Sequence, residues 1–180
     1  PSKEQLNLYF YLNDSDKEVI AKMKKSSTKL GFAVQLGTVR FLGCFTSDFE
    51  TLPIVVIQHL AAQLNIDYKE FYGYTRKQTI WQHMKLIQDY YNYVLFTDNA
   101  VEKYLSDWLL DRSWYTTETD NMLFDMLLKK CLDEKIILPG FSTFERFVSK
   151  IIDSSEKQLY KLLSEIPATS EVERLLELFD

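Results

Sequence analysis

The chain is poor in histidine and cysteine, the residues from which many small catalytic and metal sites are built. Two histidines and two cysteines in 180 residues leave no CxxC or HxxxH spacing, and Cys44 and Cys131 are too few for a disulfide framework or a four-ligand metal site. A reducing cytoplasm is the simplest expectation, and no cofactor is expected. The GxxxxGK[ST], GxGxxG, GxSxG and HExxH signatures are missing, so nothing indicates the phosphate loops, nucleophile elbows or zinc helices that those spacings build. No run approaches the roughly 20 apolar residues of a membrane span. The start PSKEQLNLYF lacks the basic-then-apolar order of a signal peptide, and a start without methionine is expected of an excised or processed chain. Glycine (5) and proline (4) are scarce, while 46% of residues are hydrophobic and 14% aromatic. Such a chain folds, as one ordinary domain or two small bundles sharing a core.

Acidic residues are missing from two windows. The formal charge is -5, yet residues 1–90 hold 11 basic and 9 acidic side chains, a net of +2, and residues 91–180 hold 10 and 17, a net of -7. Within the first half, residues 22–47 carry Lys22, Lys24, Lys25, Lys29 and Arg40 without one acid, and residues 71–88 carry Arg76, Lys77 and Lys85. Clustered cations without acids are what a phosphate backbone rewards. In the acidic half, Arg146 and Lys150 stand four apart and can reach one phosphate together, although Asp133, Glu134, Asp153 and Glu156 offer intramolecular partners instead. His59 and His83 sit on or beside apolar helical stripes, where structural roles are expected. Asp107 and Asp111 have a spacing that suits a shared metal, but exposed surface charge is the expected reading. Trp81, Trp108 and Trp114 are expected in the core rather than as stacking platforms.

Helix signals dominate, so the expected fold is all-α: helical bundles with helix-turn-helix character. Ser2 with Gln5, Ser15 with Glu18, Thr75 with Gln78 and Ser142 with Glu145 match the capping-box spacing. Apolar stripes at helical period follow Pro53 (Ile57, Leu60, Ala61, Leu64), then Thr75 (Ile80, Met84, Ile87, Tyr91), Asp98 (Val101, Leu105, Trp108, Leu109) and later Met122 to Cys131 and Phe144 to Ile151. Alternating runs bounded by Asn-Gly or Asp-Gly are absent, so a sheet has little support. Between His59 and Tyr74, a small residue in a first helix, a turn at Asn65–Ile66 and Asp67 as a cap read as a helix-turn-helix pair. The charge reversal near Phe96–Asn99 divides a basic bundle, residues 1–96, from an acidic one, residues 97–180. In LGFAVQLGTVRFLG, residues 30–43, Phe32, Leu36 and Val39 fall opposite Leu30, Val34 and Phe41 on a helical wheel, which predicts a helix wedged between two partners. Glycine inside a helix costs about 1 kcal/mol relative to alanine, so Gly37 predicts a close approach by another backbone. Arg76 and Lys77, at the start of a helix, oppose its dipole and would be relieved by a phosphate there.

LGFAVQLGTVRFLG, with LNLYFYLNDSDKEVI before it and YTRKQTIWQHMKLI and LPGFSTFERFV after it, resembles the N-terminal region of the Tn-three family of replicative transposases. The likeness covers residues 3 to about 166. It implies a helical, non-catalytic region that recognises the terminal inverted repeats of a transposon, with the metal-dependent strand-joining site several hundred residues further on. Arg40, Arg76, His83, Glu145 and Arg146 match family positions, whereas Ile80 stands where many members carry arginine. The partners implied are double-stranded transposon-end DNA and the remainder of the transposase, as a dimer at full length, in the bacterial cytoplasm and on the nucleoid when bound. The expected phosphate contacts are Lys22, Lys24, Lys25, Lys29, Arg40, Arg76, Lys77, Lys85, Arg146 and Lys150. The alternative is a helical protein-interaction module whose acidic half docks another part of the same complex.

Overall fold

The computed structural model describes residues 1–46, 48–115 and 119–165. Among them are eight α-helices: α1 (Lys3–Tyr9), α2 (Asp14–Ala21), α3 (Ser26–Leu42), α4 (Ile54–Leu64), α5 (Lys77–Tyr91), α6 (Asn99–Tyr115), α7 (Asp120–Asp133) and α8 (Phe141–Glu165). A 3-10 helix, Tyr68–Gly73, lies between α4 and α5. The all-α expectation holds, with one small departure: β1 (Val94–Leu95) pairs in parallel with β2 (Ile136–Ile137). Two residues per strand are too few to show alternation, which is why the pairing left no trace in the sequence.

The chain divides into two compact units. The first is Pro1–Val101 with Lys129–Pro139, and the second is Glu102–Leu128 with Gly140 onwards. Helix α3 is the axis of the first unit. Residues 30–39 are ten consecutive buried positions, and α1, α2, α4, α5 and the 3-10 helix all pack on it. The wedged helix read from residues 30–43 is therefore present. Its glycines admit rings rather than backbones: a Cβ on Gly37 would overlap the Phe10 ring, and one on Gly31 the Tyr74 ring. Helix α3 ends at Gly43, whose left-handed φ of 71° closes the Val39 carbonyl, and Asn65 and Asn92 end α4 and α5 in the same conformation. The Gly43 carbonyl then accepts from the Leu138 amide at 2.8 Å, holding the returning segment to the end of α3.

Helix starts are only partly where the capping spacings put them. Ser2 and Gln5 form a complete capping box. Helix α2 instead begins at a box between Asn13 and Asp16, ahead of Ser15. Helix α5 is capped by Arg76 with no side-chain hydrogen bond, so Thr75 and Gln78 do not close on each other. Helix α8 starts at Phe141 after Gly140, placing Ser142 inside it. Asp67 does cap, accepting from the Lys69 amide at 2.9 Å, but the helix it opens is the six-residue 3-10 turn. In the second unit Leu105, Leu109, Leu123, Leu127, Phe144, Val148 and Ile151 are buried, and the Ser113 hydroxyl donates to Ser155 at 2.8 Å.

Candidate nucleic-acid interface

The N-terminus of α3 organises the basic side chains of the first unit. Lys22 to Lys25 form the turn between α2 and α3, with Lys22, Lys24 and Lys25 exposed. Lys25 is the N-cap of α3 and makes no side-chain cap bond, and the first turn carries no acid. The same is true of Arg76 at α5. Each helix start leaves amide donors without intrahelical partners, and each is flanked by a cation that its own dipole disfavours.

These two starts meet. Lys24, Lys25 and Arg76 line one cleft of about 360 Å³, together with Ser27, Thr28, Thr75 and Thr79, and no carboxylate lines it. The meeting depends on Tyr74. Its ring lies in the space left by Gly31, stacks on His83 at 5.4 Å and hydrogen-bonds His83 Nδ1 at 2.9 Å. Thr75 and Arg76 follow directly in the chain, so a buried tyrosine on a glycine-bearing helix carries the second cation to the first two.

His83 takes the structural role expected of it. Burial lowers its pKa from 6.5 to about 4, so it is neutral near pH 7. An unfolded chain binds a proton below pH 6.5 that the folded chain refuses until about pH 4, so stability falls as pH falls through that window. The chain should lose about 2 kcal/mol between pH 7 and pH 5 from this group. Urea unfolding at the two values measures the loss, and His83→Gln should shrink it.

The remaining cations are scattered over other surfaces. Lys29 lies on the other side of the α3 start, in a second acid-free cleft with Lys17, Gln63 and Asn65. Lys17 escapes sequence reasoning because Asp16 and Glu18 flank it, yet Asp16 points inward and is fully buried. Lys77 borders a neighbouring hollow that Asp48 and Glu50 also line. Lys85 pairs with Asp89 at 2.9 Å on exposed surface. Arg146 and Lys150 share one side of α8 with Glu145, Asp153 and Lys157, so positive and negative groups alternate there. Asp107 and Asp111 are both exposed, and no group of three potential metal ligands occurs among the described residues.

Arg40 and two of the three tryptophans depart from expectation. Arg40, expected beside phosphate, faces the protein: Nη1 and Nη2 donate to the two oxygens of Asp16, each at 2.9 Å. Nη1 also reaches the Tyr11 carbonyl at 3.2 Å, and the guanidinium lies 5.4 Å from the Tyr91 ring centre. Asp16 is 24 positions away, in the acidic segment before the basic window, so only the fold could reveal the pairing. Trp81 and Trp114, expected in the core, are 65% exposed on α5 and 37% exposed on α6.

Cleft and fold together define an all-α chain with a cationic, acid-free cleft on its first unit. A family described as Domain of unknown function (DUF4158) matches residues 1–151. The chain belongs to that family. It is also 34% identical over 181 residues to the transposase for transposon gamma-delta of Escherichia coli (strain K12), covering 99% of this chain and 18% of the relative. The transposase for transposon Tn1546 of Enterococcus faecium is 30% identical over 176 residues, covering 94% and 17%. That for Tn21 of Escherichia coli is 25% identical over 178 residues, covering 98% and 18%. The resemblance to transposases read from the sequence is borne out, and the chain spans less than a fifth of the length of these relatives. Among the described residues no helix is long and apolar enough to cross a membrane.

Proposed function

We propose that the chain binds double-stranded DNA at the terminal inverted repeats of a transposon, as a non-catalytic part of a transposase. The observation that carries this reading is the acid-free cleft where Lys24, Lys25 and Arg76 meet the uncapped starts of α3 and α5. A backbone phosphate there accepts from free helix amides and serine and threonine hydroxyls, and removes the repulsion between three neighbouring cations. Lys17 and Lys29, in the adjoining cleft, extend the positive surface along the duplex. Arg40 is a positioning residue in this scheme, since its hydrogen bonds fix α3 against α2 rather than reaching outward. The remainder of the transposase is the second partner, and the cytoplasm, on the nucleoid when bound, the place of action.

Fluorescence anisotropy with a duplex of the transposon's own end, against a scrambled duplex, tests the proposal across a salt series. Tighter binding to the true end, weakening steeply with salt, is expected. Each phosphate contact contributes about 0.9 to the slope of log K against log salt. Lys24→Ala, Lys25→Ala and Arg76→Ala combined should therefore flatten the slope by about 2 to 3. An unchanged slope would place the phosphate contacts elsewhere.

A second reading has one observation in its favour. Leu159, Tyr160 and Leu162 are 47%, 69% and 50% exposed on α8, within the acidic half. A face of that kind suits docking to another part of the transposase, which salt would barely weaken.

A further inference from the structure

Helix α5 has two sharply different sides. His83 and Ile87 are buried, Ile80 and Tyr91 pack against the core, and all four fall within about 80° of one another at 100° per residue. The opposite side carries Gln78, Trp81, Gln82 and Lys85, all four exposed, within another arc of about 100°. Helix α8, by contrast, mixes acids and bases around Arg146. This side of α5 has no acid before Asp89, which falls in the same arc and pairs with Lys85 at 2.9 Å, and along one edge of it lies an indole 65% exposed to water. An indole beside two amides and a lysine offers a ligand an apolar ring with polar groups around it.

We infer that this face of α5 lies in the major groove and reads A·T base pairs, with Gln78 and Gln82 as the base-contacting residues. The inference rests on the DNA-binding reading above. Three features support it. First, α5 begins at Arg76, which lines the cationic cleft, so a phosphate seated there delivers the first turns of α5 to the adjacent groove, as N-terminal turns of recognition helices are delivered. Second, the exposed run from Gln78 to Lys85 rises about 10 Å along the helix axis, comparable to the groove's width of about 12 Å. Third, the side chains have the right chemistry: a glutamine amide donates to adenine N7 and accepts from N6, and an apolar edge such as that of Trp81 packs on the thymine methyl. Arg76 Nη2 already donates to Gln78 Oε1 at 3.1 Å, holding that amide while its oxygen keeps a second lone pair for the base. Partner proteins also bind exposed tryptophans, but the first turns of this face, from Arg76 to Lys85, carry cations and amides without an acid, which favours a polyanion.

The test is anisotropy with the full chain, comparing the transposon's own end with a scrambled duplex. The variant is Gln78→Ala combined with Gln82→Ala, which alters only surface side chains, and its melting temperature is checked to match. The wild-type preference for the true end should fall about 10- to 100-fold in the variant, with binding to the scrambled duplex unchanged. Replacing adenines of the end by 7-deazaadenine, which lacks N7, should weaken the wild type and leave the variant unaffected. If the wild type prefers its end and the variant keeps that preference, base reading by α5 is overturned while end binding stands. If the variant weakens on both duplexes alike, the face serves attachment and the inference is again overturned. If the wild type shows no preference at all, the proposed function itself fails, and this inference with it.

Discussion

Gly37→Leu is expected to destabilise the first unit by about 4 kcal/mol. Gly37 is buried in the middle of α3, and even a Cβ there would overlap the Phe10 ring. Phe10 has little room to retreat, being 3% exposed and packed on Phe41 at 5.7 Å between ring centres. Its carbonyl accepts from Gln63 Nε2 at 2.8 Å, and Gln63 Oε1 accepts from the Leu12 amide at the same distance. A leucine that displaces the ring therefore also pulls apart the stitch between the α1–α2 connection and α4. Overpacking alone costs about 1–3 kcal/mol, and stranding the Gln63 bonds adds about 1 kcal/mol each. Against a typical domain stability of about 5–15 kcal/mol, a loss of about 4 kcal/mol is severe. Thermal unfolding followed by circular dichroism measures it, with Gly140→Ala as control because a Cβ there meets nothing within 4 Å. A Gly37→Leu chain that melts with the wild type would refute the packing account.

Asp16→Ala should be comparably damaging, for an electrostatic reason. The carboxylate is fully buried. It accepts from both terminal nitrogens of Arg40, from the Tyr91 hydroxyl at 2.7 Å and from the Asn13 amide at 3.0 Å. Burial pushes its pKa up, but the bonds to Arg40 and Tyr91, the Arg40 charge and the Asn13 amide together hold it below the ordinary 3.8. A depressed carboxylate contributes stability that is present above its unfolded pKa and lost as pH falls through the folded one. The contribution is thus fully in force at pH 7 and vanishes only in strong acid. Removing one partner of a buried pair costs about 3–5 kcal/mol, because the other is left uncompensated. Arg40 keeps 23% exposure, which puts the expected loss near the lower figure. Asp16→Leu combined with Arg40→Met should recover much of it, since no orphaned charge remains. Urea midpoints of the three chains decide the matter: a double variant less stable than Asp16→Ala would show that shape, not charge pairing, governs the site.

Both sites show which parts of the molecule can be read from the sequence. Helices α3 to α5 are visible because their apolar residues recur at a period set by the helix itself, whatever surrounds it. Capping is less secure. Candidate residues such as Asn13, Ser15 and Asp16 crowd within one turn, and the choice among them is made by Arg40 and Tyr91, which bind Asp16 from 24 and 75 positions away. The same separation hides what Arg40 does, because a basic window reads as a surface for anions when the acid that neutralises it belongs to another segment. Lys17 is hidden in reverse, beside an acid that turns inward. Trp81 reads as core because tryptophan usually is, and only the packing of His83 and Ile87 shows which way the helix turns. The cationic windows at 22–29 and 76 are legible, but their meeting is not, because it depends on a ring seated on a glycine.

Any side chain at position 31 would dislodge Tyr74, and with it the stretch that carries Arg76, while leaving every lysine and arginine in place. A lineage could thus dismantle its cationic cleft through one uncharged substitution, without changing its isoelectric point. A survey that looked only for missing positive charge would record such a descendant as intact.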